Sequence, residues 1–353
     1  MQWQKFWRWF CIAALSTAGL LYGFVLVVDP YDTLPFSPPL DRQPVATNQR
    51  FSYPAVAASP AFDSAVFGTS TTRLLRPDRL NVALSARFAN LSMNSGTTYE
   101  QLRIFDLFTD HHPAPRFVIF GIDDEWCSTA PDLPRFTFRP FPPWLYDGNP
   151  WNDALHLFDA FSVEQAIRQV GYLSGLRPAK YGPDGYMNFL PPAAEYDLVR
   201  ARKHIYGGTE PRRREREASP ADGYGPQRSA WNYPAHARMS AMLSRLPAAT
   251  TAVLVFVPYH HVMQPAPGSL DAARWTECKM RLTALAGARP NTHVIDFMFY
   301  SEITRRDENY WDALHYSAAV SNELVRFIAE AIERREDQAG YYRYLQPGME
   351  PAW

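Results

Sequence analysis

The sequence predicts an α/β protein in three layers, with a parallel five-stranded sheet between two layers of helices. Short apolar runs alternate with segments of helical periodicity along the chain, a pattern typical of such sheets. One long segment rich in aromatic residues and proline interrupts this alternation and indicates an insertion. An uncharged run near the N-terminus adds one predicted transmembrane helix.

Five apolar runs are the predicted strands, and three runs with helical periodicity are predicted helices between or after them. The third strand, residues 117–120, is uniformly apolar, as expected for a strand covered on both faces. The predicted strands are residues 65–67, 88–93, 117–120, 252–257 and 293–295. The predicted helices are residues 97–108, 270–286 and 317–334, the last with Val320, Leu324, Phe327, Ile328 and Ala331 along one face.

These runs place the α/β domain at residues 62–335 and its insertion at about residues 126–249. Before the domain, residues 29–61 are rich in proline and small residues and are interpreted as a stalk or a wrapping segment. Residues 336–353 are interpreted as a C-terminal tail. Within the insertion, the charged run Arg212–Glu217 is interpreted as a solvated loop.

The N-terminal segment indicates where the rest of the chain lies. Residues 9–28 carry no charge, and a helix of that length spans roughly 30 Å, enough to cross a bilayer. Lys5 and Arg8 precede the run and Asp29 follows it, so residues 1–8 are expected in the cytoplasm and the remainder outside. A cleaved signal peptide is the alternative, but the small residues typical of a cleavage site do not follow the run.

Composition limits the class of protein further. Of the 353 residues, 46% are hydrophobic and 20% charged, which predicts a folded core. The formal net charge of -1 argues against a nucleic-acid partner, because phosphate binding requires a basic surface. Cys127 and Cys278 can pair in an oxidising compartment or remain free thiols, and the sequence leaves both open.

Two motifs fall at the carboxyl ends of predicted strands, where parallel sheets place their sites. Gly68-Thr69-Ser70 follows the first strand, so the Ser70 hydroxyl is a candidate nucleophile, although a serine there can also simply cap a helix. Asp312 and His315 follow the last strand, three residues apart on one loop. A serine nucleophile needs a base and a carboxylate that orients the base, and these motifs together supply all three groups.

Together these motifs resemble the SGNH, or GDSL-like, hydrolase superfamily over roughly residues 62–335. The resemblance implies a flavodoxin-like sheet with Ser70 as nucleophile and with Asp312 and His315 as its partners. It also implies that the glycine of the second block, here Gly96 in Asn94-Ser95-Gly96, donates its N–H to the oxyanion hole together with the Ser70 N–H.

The third block departs from the pattern of that superfamily. Gly-x-Asn-Asp is expected, with the Asn side chain completing the oxyanion hole, but the chain has Asp123 at that position. An ionised carboxylate there would oppose a developing oxyanion. Three alternatives follow: Asp123 points elsewhere or contacts substrate, Asn94 or Arg73 supplies the donor instead, or the chain is catalytically weak. Arg73 is also a candidate substrate contact.

The motifs and the single anchor are most similar to one branch of the superfamily. That branch contains membrane-anchored proteins that move O-acetyl groups onto bacterial exopolysaccharides, as in alginate acetylation, and proteins that assist D-alanylation of cell-wall polymers. The resemblance implies a single-pass protein of the bacterial inner membrane with a periplasmic domain and a polysaccharide or cell-envelope glycan as substrate. The resemblance further implies that a multipass membrane acyltransferase is the acyl donor. It also implies that the protein needs no cofactor.

Two adjacent histidines, His260 and His261, follow the fourth strand, where a substrate would lie. Neighbours in an extended segment point in opposite directions, and no carboxylate or cysteine with ligand spacing accompanies them, so no metal site is expected. Contact with substrate and a purely structural role remain the alternatives for both.

The expected function is therefore serine-dependent acyl transfer, as an O-acetyltransferase or an esterase, on an extracytoplasmic polysaccharide. Transfer and hydrolysis share one acyl-enzyme and differ only in which hydroxyl attacks it. A polysaccharide-assembly or scaffold protein that keeps the fold without catalysis is one alternative. A hydrolase of lipids or small esters is another.

Overall fold

Six strands form one sheet in the computed structural model, which describes residues 2–208 and 224–350. The charged run Arg212–Glu217 lies outside the described residues. The strands are β1 (Ser64–Phe67), β2 (Phe88–Asn90), β3 (Phe117–Ile122), β4 (Thr251–Phe256), β5 (Thr292–Asp296) and β6 (Arg343–Tyr344), in the spatial order β2-β1-β3-β4-β5-β6.

The first five strands are parallel, which confirms the predicted α/β class with a mainly parallel sheet. In β3 and β4, every residue after the first is buried, as their apolar sequences predict. The sixth strand, β6, is antiparallel to β5 and lies in the segment interpreted as a tail. It has only two residues, too few for a periodic pattern to appear in the sequence.

Eleven α-helices are assigned among the described residues. They are α1 (Gln2–Val28), α2 (Gln49–Ala58), α3 (Pro77–Leu84), α4 (Thr98–His111), α5 (Asp124–Cys127), α6 (Ala160–Leu173), α7 (Leu198–Tyr206), α8 (Gly225–Arg228), α9 (Ala235–Arg245), α10 (Leu270–Gly287) and α11 (Ala318–Arg334). Single 3₁₀ turns are formed by Thr72–Leu74, Pro143–Tyr146, Asp153–His156, Ala193–Glu195 and Asp307–Asn309.

The predicted helices are confirmed with small shifts of their ends, and each begins at a side-chain cap. Thr97 and Glu100 form a reciprocal capping box at the start of α4. Ser269 caps α10 and Ser317 caps α11. The predicted apolar face of α11 is buried at all five positions.

The chain divides into two compact units. The N-terminal unit comprises Met1–Ala58 and Arg139–Gly185, and the sheet unit comprises Ser59–Phe138 and Tyr186–Trp353. The segment interpreted as a stalk thus contributes α2 to a folded unit, together with the middle part of the predicted insertion. The two ends of that insertion belong to the sheet unit instead.

Helix α1 is 27 residues long and contains an 18-residue window with a mean hydropathy of 2.2, so it is long and apolar enough to cross a membrane. Its first turns are exposed, whereas its last turns pack against α6 within the N-terminal unit. The Tyr22 hydroxyl donates to the Ala154 carbonyl oxygen at 2.8 Å in the same region.

A disulfide joins Cys127 at the end of α5 to Cys278 in α10, with their Cα atoms 5.5 Å apart. Of the two alternatives that the sequence left open, the structure therefore has the disulfide. It closes a loop of 151 residues, and in the chain-entropy view such a cross-link stabilises the fold by about 5 kcal/mol. A bond of this kind is stable in an oxidising compartment.

Candidate active site

Ser70 lies in the tight connection between β1 and the 3₁₀ turn Thr72–Leu74, at the carboxyl end of β1. Two glycines make this connection possible. A Cβ atom on Gly68, or on Gly121 in the neighbouring strand β3, would collide with the Thr72 side chain. The absence of both Cβ atoms lets the chain turn immediately after the strand, which leaves Ser70 partly exposed at the edge of the sheet.

Ser70, His315 and Asp312 form one continuous hydrogen-bonded chain. The Ser70 Oγ atom lies 2.8 Å from His315 Nε2. On the other side of the ring, His315 Nδ1 lies 2.7 Å from Asp312 Oδ2 and 2.9 Å from Oδ1. This is the arrangement in which a neutral histidine donates through Nδ1 and accepts the serine proton through Nε2. The structure thus brings together all three residues proposed from the sequence.

The loop that carries Asp312 and His315 is rigid because its own hydrogen bonds close it. Asp312 Oδ1 accepts from the backbone N–H groups of Leu314 at 2.8 Å and of His315 at 2.9 Å. The Trp311 N–H returns to the His315 carbonyl oxygen at 2.9 Å. A spacing of three residues therefore lets one carboxylate orient both the backbone and the imidazole.

The charge on Asp312 is stabilised in this position. Burial acts to raise the pKa of its carboxyl, but the hydrogen bond and the charge of His315 outweigh that effect, together with the two backbone N–H groups, and the pKa is lowered. Asp312 is therefore ionised at neutral pH and acts as an acceptor for the imidazole. The Phe189 ring stands edge-on to the His315 ring at 5.2 Å and limits its rotation.

Two residues that sequence reasoning missed tie the histidine loop to the serine loop. The Tyr316 hydroxyl, fully buried, donates to the Thr71 carbonyl oxygen at 2.7 Å. The Ser321 hydroxyl, in α11, donates to the Leu74 carbonyl oxygen at 2.5 Å. Both bonds join positions more than 240 residues apart in the chain. The only signal in the sequence is that Tyr316 directly follows His315.

Replacing Tyr316 with Phe is expected to destabilise the sheet unit by about 1–3 kcal/mol, because the buried Thr71 carbonyl oxygen loses its donor. It is also expected to lower the rate of acyl transfer, since the serine and histidine loops lose a direct link. Chemical denaturation and steady-state kinetics measure the two effects. Tyr300→Phe, at a side chain that is 57% exposed, is the matched control. Equal stability of the two variants would contradict the proposed link.

The backbone N–H of Ser70 is the first of the two predicted backbone oxyanion donors. No hydrogen-bond acceptor for it is found within residues 2–208 and 224–350. The N–H of Gly96 differs from the prediction, because it donates to the Met93 carbonyl oxygen at 3.0 Å. Ser95 adopts a left-handed conformation (φ 51°) that closes this turn. In this arrangement Gly96 does not supply the second donor that the resemblance implied.

Arg73 and Asn94 form a polar pair close to the nucleophile. Arg73 is 2% exposed, and its Nη1 donates to the Asn94 side-chain oxygen. Its guanidinium lies over the Phe189 ring, 4.8 Å from the ring centre. The same Phe189 ring also contacts His315. A buried cation held in this way favours negative charge that develops in the site.

Asp123, the residue that departs from the family pattern, lies beside the nucleophile loop and is almost fully buried. The Thr69 hydroxyl donates to its Oδ2, while no partner for Oδ1 is found among the residues that the structure describes. Burial raises the pKa of the Asp123 carboxyl well above its ordinary value, and the neighbouring charge of Asp124 adds to this. The raised pKa favours the neutral form of the Asp123 carboxyl, and a neutral acid has an O–H to donate.

The variant Asp123→Asn tests this protonation state. Folding raises the pKa of Asp123 above the value near 3.8 that it has in the unfolded chain. The contribution of Asp123 to the free energy of unfolding therefore declines as the pH rises above 3.8, and it is smallest at high pH. Asn does not titrate, so the melting temperature of the variant, relative to the native chain, should rise from pH 5 to pH 8. Asp271→Asn, at an exposed position, controls for removal of one charge. A constant difference across this range would contradict a protonated Asp123.

His260 is not placed as a substrate contact, whereas His261 is half-buried and its role in substrate contact stays a prediction. His260 is fully buried, its Nε2 lies 3.2 Å from Asp307 Oδ1, and burial lowers its pKa to about 4. Its backbone N–H donates to the Ala313 carbonyl oxygen at 3.0 Å, so it supports the loop that carries Asp312 and His315. The His261 ring packs against Tyr300. In the described part of the chain no three potential metal ligands cluster.

Comparison with known proteins does not assign the chain to a family. No protein-family model matches the sequence, and no curated protein matches it.

Proposed function

We propose that this chain is a serine-dependent acyl-transfer enzyme of the SGNH type, held at the bacterial inner membrane by α1 and acting on a periplasmic polysaccharide. The observation that carries the proposal is the unbroken sequence of hydrogen bonds from Ser70 Oγ through the His315 ring to Asp312. The order of the five parallel strands, β2-β1-β3-β4-β5, agrees with a flavodoxin-like sheet, and both catalytic loops lie beyond strand ends of that sheet.

The reaction follows from the geometry of these three residues. The Ser70 hydroxyl attacks the acyl carbon of the donor ester, and its proton moves to His315 Nε2. The tetrahedral intermediate collapses when His315 returns that proton to the departing oxygen, which leaves the acyl group on Ser70. A hydroxyl of the glycan then attacks the acyl-enzyme, gives its proton to His315, and leaves as the new ester while Ser70 recovers its proton.

Stabilisation of the oxyanion is proposed to come from a site that differs from the family pattern. The Ser70 N–H is one donor, and the buried Arg73–Asn94 pair supplies positive charge and an amide group nearby. A neutral Asp123 removes the repulsion that an ionised carboxylate would exert. The cycle uses only these protein groups and an acyl donor, which we propose is supplied by a multipass membrane acyltransferase.

A non-catalytic role in polysaccharide assembly is the second candidate, and one observation favours it. The Gly96 N–H is already bonded to the Met93 carbonyl oxygen, so the oxyanion hole lacks the second backbone donor of the family. Such a protein would keep the fold and bind glycan without forming an acyl-enzyme.

A fluorophosphonate probe separates the two candidates. The full-length chain in nanodiscs should be phosphonylated, and peptide mass spectrometry should locate the adduct on Ser70. Incubation with an activated acetyl ester should then release acetate in water. If the enzyme is a transferase, it should also transfer the acetyl group to an added oligosaccharide. Lack of both labelling and turnover would favour the assembly role, and turnover indifferent to every glycan tested would favour a simple esterase.

A further inference from the structure

Helix α6 has its polar and apolar faces reversed relative to a helix in water. Its buried residues are Ser162, Gln165, Ala166 and Gln169, whereas Ile167, Val170 and Leu173 are exposed. A helix at the surface of a soluble domain buries its apolar stripe and exposes its polar residues. The reversed pattern indicates that the outer face of α6 does not meet water.

The exposed residues form a continuous stripe. Ile167, Val170 and Leu173 are spaced three residues apart, so successive members lie about 60° from each other around the helix. Glu164, three residues before Ile167, lies about 60° beyond it at the edge of this stripe and pairs with Arg168 at 2.8 Å. Helix α6 therefore has an apolar outer arc bordered by charge, the distribution expected of a helix that lies in a membrane interface.

The position of α6 beside α1 identifies what covers the apolar arc. Tyr22 of α1 donates to the Ala154 carbonyl oxygen at 2.8 Å, and its ring stands edge-on to the Phe158 ring at 5.5 Å. Tyr22 precedes the end of α1 at Val28 by six residues, roughly 9 Å along the helix axis. If α1 spans the bilayer, Ala154 and Phe158 lie below its outer boundary, and α6 begins two residues after Phe158.

Other exposed apolar side chains continue the same surface at this level. Leu155 is 77% exposed and Phe158 is 59% exposed, directly beside the contact with Tyr22. Trp151 is 67% exposed and packs against Phe36 with ring centres 6.2 Å apart. Aromatic side chains of this kind are enriched where acyl chains meet head groups. All of these residues belong to the N-terminal unit.

We infer that the N-terminal unit is embedded in the outer leaflet, with Ile167, Val170 and Leu173 of α6 in contact with lipid acyl chains beside α1. Because α6 packs directly against α1, one bilayer would cover both helices. This inference depends on the proposed anchoring by α1. The chain is then held by a transmembrane helix and a half-immersed platform, rather than by a flexible tether.

Spin labels on the full-length chain in nanodiscs test the inference. The background is Cys11→Ser, with the Cys127–Cys278 disulfide left oxidised. Single cysteines replace Val170, Leu173 and Glu164 on α6, and Leu20 on α1. We expect the labels at 170 and 173 to collide several-fold more with oxygen than with a water-soluble nickel chelate, as at position 20. The label at 164, on the charged side of the same helix, should favour the chelate.

The outcomes separate the inference from the proposed anchoring. A lipid signature at 20 with an aqueous signature at 170 and 173 would overturn the embedded platform and leave the anchor in place. An aqueous signature at 20 would overturn both. Low accessibility of 170 and 173 to oxygen and chelate alike, at one chain per nanodisc, would show that protein covers the arc and would also overturn the inference.

Discussion

Replacing Ser70 with Ala is expected to abolish phosphonylation and to reduce acyl turnover by on the order of 10⁵–10⁶-fold. The loss follows because the Ser70 oxygen is the atom that forms the acyl-enzyme, and Ala offers no other nucleophile to the aligned His315. The measurement is release of a chromogenic alcohol from an activated acetyl ester, with the variant in the same nanodiscs as the native chain.

The matched control for this experiment is Ser244→Ala. Ser244 is an exposed serine of α9 whose hydroxyl donates only to the Ala241 carbonyl oxygen of its own helix. This variant should be labelled and should turn over as the native chain does. If Ser70→Ala kept its labelling, the nucleophile would be another residue and the triad would be wrong.

Replacing His315 with Ala is expected to reduce acyl transfer by several orders of magnitude, approaching the loss in Ser70→Ala. The Ser70 hydroxyl then has no group to take its proton, and an unactivated serine is a poor nucleophile. Asp312→Asn should cost less, on the order of 10⁴-fold, because the base remains but loses the carboxylate that fixes its tautomer. Rates of acylation at saturating ester measure both losses.

Two further observations would distinguish a catalytic His315 from a structural one. Added imidazole should restore part of the activity of His315→Ala, since it can occupy the vacated position and accept the proton. Combining Ser70→Ala with His315→Ala should cost no more than either change alone, because residues that act as one unit are not additive. His111→Ala, on an exposed side chain of α4, is the control and should remain active.

The parts of the fold that the sequence predicted well are those with strong local patterns. Strands β1, β3, β4 and β5 are short apolar runs because both faces of the sheet are covered, so burial is visible in the residues themselves. The division into two units was not predictable in this way. Residues 139–185 join the N-terminal segment through tertiary contacts, and their aromatic and proline-rich composition does not indicate which partner they choose.

The same distinction holds for the candidate site. Ser70, Asp312 and His315 were identified because each stands in a motif at a strand end. Phe189 and Tyr316 were missed, since their roles depend on contacts with residues far away in the chain. For His260, the sequence shows the position after β4 but not the direction of the side chain, so it leaves substrate contact and a structural role open until the structure shows the ring buried.

The pairing of α1 with α6 also has a consequence for the order of events during export. The two partners of the Tyr22–Ala154 hydrogen bond are separated by 132 residues. At the usual pace of synthesis, the second partner leaves the ribosome roughly 7–26 s after the first. If α1 is the proposed anchor, it enters the bilayer before α6 has been synthesised, and the inferred membrane platform is completed only when the middle of the chain has crossed. Chaperones of the export pathway would meet the protein in this unfinished state.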